Sequence, residues 1–251
     1  MWDETARYAQ PVQVFTAAER PDLDREADEL SVGVWPEYNL HGDVLGPHWR
    51  ELDVRFPELQ FVLVEGDEIL AQGHMIPCRW DGTLDGLPAG IDDVLLQGLA
   101  LEEPPNAASA LAIEVLPQYQ SSGLARRMLE EMRALCAAHG LGDLLAPLRP
   151  SWKERYPLTP IERYAAWTRE DGLPFDPWLR VHVRAGGEIL KPVERSMRIT
   201  GTVAEWEEWT ATAFPESGRY VFPQCLAPLE VDRDADLGAY WEPNVWVRHR
   251  A

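Results

Sequence analysis

The sequence predicts a mixed α/β fold, a mostly antiparallel sheet flanked by helices with one parallel pair of strands inside it. Three stretches carry that expectation. Leu111 to Val115 is a buried-strand pattern closed by Pro117, and it passes through a tight turn of small residues into a helix. On that helix Leu124, Met128, Met132, Leu135, Cys136 and His139 recur at helical spacing, and Gly140 supplies the stop. Asp143 to Leu148 reads as the next strand, and a strand–helix–strand unit of this kind closes as a parallel pair with a right-handed crossover. Upstream, Gln60 to Glu65 and Ile69 to Pro77 flank Gly66-Asp67, the pattern of an antiparallel hairpin.

The other elements follow from local signals. Pro11 to Ala17 reads as a first strand, and Pro21 to Leu30 as a polar helix with acidic residues in its opening turn. Val32 to Gly46 lacks periodicity and reads as a loop carrying Trp35, Tyr38, Asn39 and His41. Pro47 to Phe56 fits a second helix, with Trp49, Leu52 and Phe56 on one face. Trp80 to Gly90 is rich in turn residues, and Ile91 to Leu101 fits a short helix before Pro104-Pro105. After the parallel pair, Arg149 to Arg169 reads as a polar insertion with a helix at Ile161 to Thr168. Asp176 suits an N-cap, Pro177 the first helical position and Gly186 the C-terminal stop of a further helix. Ile189 to Thr200 and Tyr220 to Val231 read as strands around a helix at Val203 to Trp209, and Trp241 to His249 as a last edge strand. The expected organisation is a single domain over 1–251, with insertions at about 81–106 and 149–175 and an extended C-terminal part from about 200.

Composition narrows the function classes. A hydrophobic share of 45% with 26% charged residues fits a globular protein, and no stretch has the length of a membrane span. The opening Met1-Trp2-Asp3-Glu4 is acidic where a secretory signal is basic, and Cys78, Cys136 and Cys225 are too few and too scattered for a disulfide framework. A cytoplasmic location is therefore expected. A net charge of −19 argues against nucleic acid and anionic membrane surfaces as partners, serves solubility, and favours a cationic small-molecule substrate. The six histidines show no paired spacing with carboxylates or thiols, so no metal site is expected. Oligomeric state is left open, a homodimer being one option.

The chemistry concentrates in Gln120-Ser121-Ser122-Gly123-Leu124-Ala125. The first turn of a helix holds amide hydrogens without internal partners and the positive end of the dipole, so a small-residue turn there can cradle a phosphate or pyrophosphate. Arg126 and Arg127 stand in the same turn and can add charge. The alternative is an ordinary β–α junction. Neither Gly-x-Gly-x-x-Gly nor the Gly-Lys-Ser/Thr of a P-loop occurs here.

The run Ile113-Glu114-Val115-Leu116-Pro117-Gln118-Tyr119-Gln120-Ser121-Ser122-Gly123-Leu124-Ala125 resembles the acyl-CoA-binding motif of the GNAT N-acetyltransferase superfamily. That motif is apolar-x-apolar-x-Pro-x-Tyr, then Gln/Arg-x-x-Gly-x-Gly/Ala, then an amphipathic helix, and every position is filled. The resemblance implies a GNAT-like sheet whose parallel strands splay apart to admit the pantetheine arm. It implies that Ile113 and Val115 hydrogen-bond that arm through their backbone, and that the amides of Gln120, Ser121, Ser122, Gly123, Leu124 and Ala125, with Arg126, hold the pyrophosphate. A backbone amide near Val115 would polarise the thioester carbonyl.

The co-substrate implied is acetyl-CoA or another acyl-CoA, and the activity N-acylation of a small-molecule amine by direct attack. Binding of acyl-CoA without turnover, or transfer to a thiol or hydroxyl, are the alternatives. For proton transfer, family members commonly carry a tyrosine four residues before the glycine that ends the later helix. Counted back from Gly186 that position is His182, suited to proton transfer near neutrality or else packed beside Trp178 and Leu179. The asparagine common at the start of that helix is absent. Glu114 points opposite to Ile113 and Val115 on its strand and is the second catalytic candidate, a general base or else a paired carboxylate. Tyr164 is a weaker candidate acid, and His74 and Trp80 either line the acceptor site or pack in the core.

Overall fold

The computed structural model describes residues 11–31, 33–120 and 122–251; the acidic opening and Ser121 lie outside them. Its strands are β1 (Val12–Thr16), β2 (Gln60–Glu65), β3 (Glu68–Cys78), β4 (Ala107–Val115), β5 (Asp143–Leu148), β6 (Glu188–Gly201), β7 (Gly218–Tyr220), β8 (Leu229–Asp232) and β9 (Leu237–Arg250). They form one nine-stranded sheet in the order β1-β2-β3-β4-β5-β9-β8-β7, with β6 pairing on β9. The pairs are antiparallel except β4–β5, so the expected mixed sheet is present. Gly66 turns the β2–β3 hairpin with φ 62°, a conformation that glycine adopts without strain.

The helices are α1 (Pro21–Leu30), α2 (Leu45–His48), α3 (Glu51–Arg55), α4 (Ile91–Leu99), α5 (Leu124–Ala138), α6 (Ile161–Ala165), α7 (Pro177–Arg184) and α8 (Val203–Thr210). Asp176 caps α7 as its sequence predicts, accepting the amides of Trp178 at 2.9 Å and Leu179 at 3.1 Å. Thr202 and Glu205 form a capping box on α8. One apolar cluster joins Met128 and Met132 of α5 with Tyr164 and Leu179, and another joins Leu95 of α4 with Trp206 of α8. Gly73 lets α5 lie close to the sheet, because a Cβ there would stand 2.6 Å from the Phe61 ring and 2.9 Å from Met128. Among the described residues no helix is long and apolar enough to cross a membrane.

Three expectations are corrected. The segment 47–56 divides into α2 and α3, because Trp49 and Arg50 turn the chain between them. Tyr220 to Val231 is two short strands around a loop rather than one strand. The last strand is not an edge: β9 pairs with β5, β6 and β8, and Val245, Trp246 and Val247 are fully buried. Its polar residues Glu242, Asn244 and His249 mimic a solvent-facing alternation, yet each is buried with polar company.

Close packing makes one position sharply testable. Trp206 Nε1 donates to the Gly238 carbonyl at 3.0 Å, and a Cβ on Gly238 would stand 2.2 Å from the indole. Gly238→Ala is expected to destabilise the fold by about 1–3 kcal/mol through overpacking. An unshifted urea midpoint would show instead that Trp206 can yield.

Candidate active site

The parallel pair is short. Ala107, Ala108 and Ser109 pair with Asp143, Leu144 and Leu145, and beyond that register β4 and β5 separate. Opposite the separation, β4 carries a bulge: His74 pairs with Ala112 and Met75 with Ala110, leaving Leu111 as the extra residue. The gap opens into a cavity of about 540 Å³ bounded by Ala110 to Glu114 on one side and Ala146 to Arg149 on the other. Trp35, Trp49 and Trp178 supply aromatic wall, and His182, Glu242 and Asn244 also reach it.

Alternation on β4 sorts its main-chain groups. The Leu116 amide donates to Leu70 O of β3 at 3.1 Å. In an antiparallel ladder neighbouring residues turn their N–H and C=O to opposite sides. Glu114 therefore shares the β3 side, while the main-chain groups of Ile113 and Val115 face the gap.

The turn after β4 leads into the exposed N-terminus of α5, where Gly123 holds φ 92°. The amides of Ser122, Gly123, Leu124 and Ala125 have no acceptor among the described residues, and α5 has no side-chain cap. That is the fit an anion needs at a helix start. Two expected members differ. The Gln120 amide donates to Pro117 O at 3.4 Å, and the Arg126 amide to Gly123 O at 3.1 Å. The Gln120 side chain reaches Val115 O at 3.3 Å. The Arg126 and Arg127 side chains pair with Glu130 and Glu131 one turn along α5. Ser121 falls outside the described residues.

Glu114 projects to the cavity and is buried, its Oε1 accepting from Trp35 Nε1 and its Oε2 from Gln72 Nε2. Gln72 is itself held to Ser31 Oγ at 2.8 Å. No cation pairs with Glu114 among the described residues. Both oxygens are thus oriented by neutral donors rather than by a cation.

His182 is buried against the cavity wall, packed edge-on to Trp178, and its Nδ1 lies 2.9 Å from His249 Nε2. Its Nε2 and the Nδ1 of His249 have no partner among the described residues. Burial, reinforced by the neighbouring ring, lowers the His182 pKa to about 3; burial and then Arg133 lower that of His249 to about 4. Both rings are neutral at pH 7. The native state thus binds fewer protons than the unfolded chain below pH 6.5, and stability falls on acidification by up to about 1.4 kcal/mol per pH unit for each ring. Asp24 and Asp92 act oppositely, since burial raises both to about 6 and stability is gained as pH falls through that value. In His182→Asn the carboxylates are unchanged, so urea midpoints should drop less between pH 7 and pH 5 than in the parent; parallel profiles would exclude this linkage.

Other sequence candidates lie elsewhere. The Tyr164 hydroxyl donates to Asp176 at 2.8 Å within the α6–α7 core, and neither His74 nor Trp80 lines the cavity. Sequence reasoning missed Trp35 as the Glu114 partner, His249 as the His182 partner, and a buried network around Arg149 and Glu242. Arg149 Nε donates to Glu242 Oε1, and its Nη2 donates to Tyr38 Oη at 2.9 Å and Gln224 O at 2.7 Å. Tyr240 Oη donates to Glu242 Oε2. The signal for Arg149 was its position just past the carboxyl end of a parallel strand, where α/β sheets open their crevices.

No family model matches the chain. The arginine N-acetyltransferase avaD of Aspergillus versicolor is 30% identical over an alignment of 269 positions that spans 93% of this chain and 92% of that protein. The chain belongs to the GNAT superfamily of acyl-CoA-dependent N-acetyltransferases. Two solved GNAT structures share the fold. The loading GNATL domain of CurA from Lyngbya majuscula has a TM-score of 0.64 at 21% identity, covering 96% of this chain and 98% of that one. The GphF GNAT-like decarboxylase in complex with isobutyryl-CoA has a TM-score of 0.59 at 17% identity, covering 96% and 99%.

Proposed function

We propose that this GNAT enzyme transfers the acyl group of acetyl-CoA, or a close acyl-CoA, to the amine of a small basic acceptor of the arginine type. The observation that carries the reading is the divergence of β4 from β5 beyond Ser109 and Leu145, into a cavity that holds Glu114. The 30% identical arginine N-acetyltransferase supports the acceptor class, as does the net charge of −19.

Each residue then has a task. The amides of Ser122, Gly123, Leu124 and Ala125 receive the diphosphate, and the gap-facing main chain of Ile113 and Val115 pairs with the pantetheine arm as an added strand. The Val115 amide and the bulge at Leu111 offer main-chain donors where the thioester oxygen gains charge. Glu114 draws the ammonium in, accepts its proton and releases a neutral amine for attack. The carbon–nitrogen bond forms, the carbon–sulfur bond breaks, the second proton of the attacking nitrogen passes to the coenzyme thiolate, and Glu114 returns its own proton to solvent. His182, neutral in its buried setting, packs the cavity wall beside Trp178 rather than carrying a proton.

Calorimetry with acetyl-CoA, followed by thiol release across a panel of basic amino compounds, tests the reading. Tight acetyl-CoA binding and amine-dependent thiol release are expected. No binding at millimolar acetyl-CoA, or binding without thiol release from any amine, would overturn it.

A further inference from the structure

We propose that Arg149 anchors the carboxylate of the acceptor, so that the enzyme selects an amino acid with a free carboxyl group over the same amine without one. This rests on the amine-acceptor reading and adds the half of the acceptor that it leaves undefined.

Arg149 follows directly on β5, at the end of the strand whose divergence opens the cavity, and its side chain is 17% exposed. Its guanidinium plane is set from behind. Glu242, Tyr38 and the Gln224 carbonyl take Nε and Nη2, and Tyr38 and Glu242 are themselves 1% and 2% exposed. Nη1 has no acceptor among the described residues. A guanidinium is a fixed fork of five donors, so three anchored contacts leave the remaining N–H groups at a determined position.

The charge around Arg149 suits an anion. Burial opposes the charged guanidinium, but Glu242, Tyr38 and Tyr240 outweigh it and hold the proton more firmly than usual. Both Glu242 oxygens are already engaged, Oε1 by Arg149 and by Asn39 at 3.5 Å, Oε2 by Tyr240. Lys153, buried behind this corner and bonded to Tyr156 O and Leu226 O, adds a second cation, its pKa lowered by burial to about 8. Arg50, the other arginine on the cavity, is exposed and has Asp28 and Asp53 as electrostatic neighbours. The cavity thus carries Glu114 on its β4 side, for the amine, and Arg149 on its β5 side, for the carboxylate.

L-arginine and L-argininamide share the α-amine and the guanidino tail and differ only at the carboxyl group. Amidation lowers the basicity of the amine and so favours its attack, which means a preference for the acid cannot come from amine reactivity. The parent enzyme is expected to prefer arginine by about 10- to 100-fold in kcat/KM, the range of one charge-assisted contact. In the double variant Arg149→Met, Glu242→Gln, which leaves no bare buried carboxylate, the preference should vanish while acetyl-CoA affinity stays. Equal use of both compounds by the parent, or a preference that survives in the variant, would overturn the anchor. Calorimetry of the CoA-saturated parent with the same pair separates the two claims. Carboxylate-dependent binding without turnover keeps the anchor and removes acyl transfer to this acceptor. Equal turnover removes the anchor and keeps acyl transfer, and no binding of either removes the anchor.

Discussion

Glu114→Gln is expected to lower kcat/KM for the amine by about 10²–10⁴-fold, the usual contribution of a positioned general base. Glutamine keeps the size of the side chain and an oxygen for the Trp35 indole, so the cavity wall stays in place. What disappears is the negative charge and the proton acceptor. The amide nitrogen then faces Gln72, whose Oε1 has no partner among the described residues and can turn to accept it, so the urea midpoint should move little. Acetyl-CoA affinity should remain, because the helix-start amides lie on the far side of Leu116 and Pro117. If turnover at saturating amine stayed near that of the parent, Glu114 would be a structural acceptor for Trp35 and Gln72 and nothing more.

Gly123→Val is expected to weaken acetyl-CoA binding by about 10²–10⁴-fold in Kd, the equivalent of two lost charge-assisted hydrogen bonds at about 1.5–3 kcal/mol each. At φ 92° a β-branched residue is strained, and relief of that strain would rotate the amides around Gly123 away from a shared focus. The valine methyl groups would also stand where a phosphate oxygen must come. Gly123→Asn is the matched control, since asparagine tolerates the left-handed region far better. Calorimetry with acetyl-CoA should therefore rank glycine, asparagine and valine in that order. The same strain should lower the thermal midpoint of the valine variant, at a cost of about 1–3 kcal/mol, so binding is compared well below that midpoint. Undiminished binding in Gly123→Val would move the diphosphate site elsewhere on the molecule.

The parts of this enzyme legible in the sequence are those whose chemistry is local. The strand–turn–helix from Leu111 to Ala138, the Gly66 hairpin and the Asp176–Pro177 start of α7 are each specified by neighbours a few residues apart. A helix start exposes its amides whatever packs around it, so the unpaired amides at Ser122 to Ala125 could be read before any contact was known. The parity of a strand likewise set Glu114 opposite Ile113 and Val115.

Long-range pairings were hidden. Glu114 meets Trp35 from 79 residues away, Arg149 meets Glu242 from 93, and His182 meets His249 from 67. Nothing in the spacing of such pairs distinguishes them from solvated side chains. β9 was misread for the same reason: its buried Glu242, Asn244 and His249 are the polar residues that make a central strand look like an edge.

The sequence by itself determined that a strand enters a glycine turn and a helix able to hold an anion, because backbone amides follow from secondary structure alone. Only the tertiary structure decided how far β4 and β5 stay paired, that His182 and His249 are neutral, and that Arg149 and Glu114 line one cavity from its β5 and β4 sides. Burial and charge pairing depend on which distant segments the sheet brings together, and that is a property of the packed chain rather than of any stretch within it.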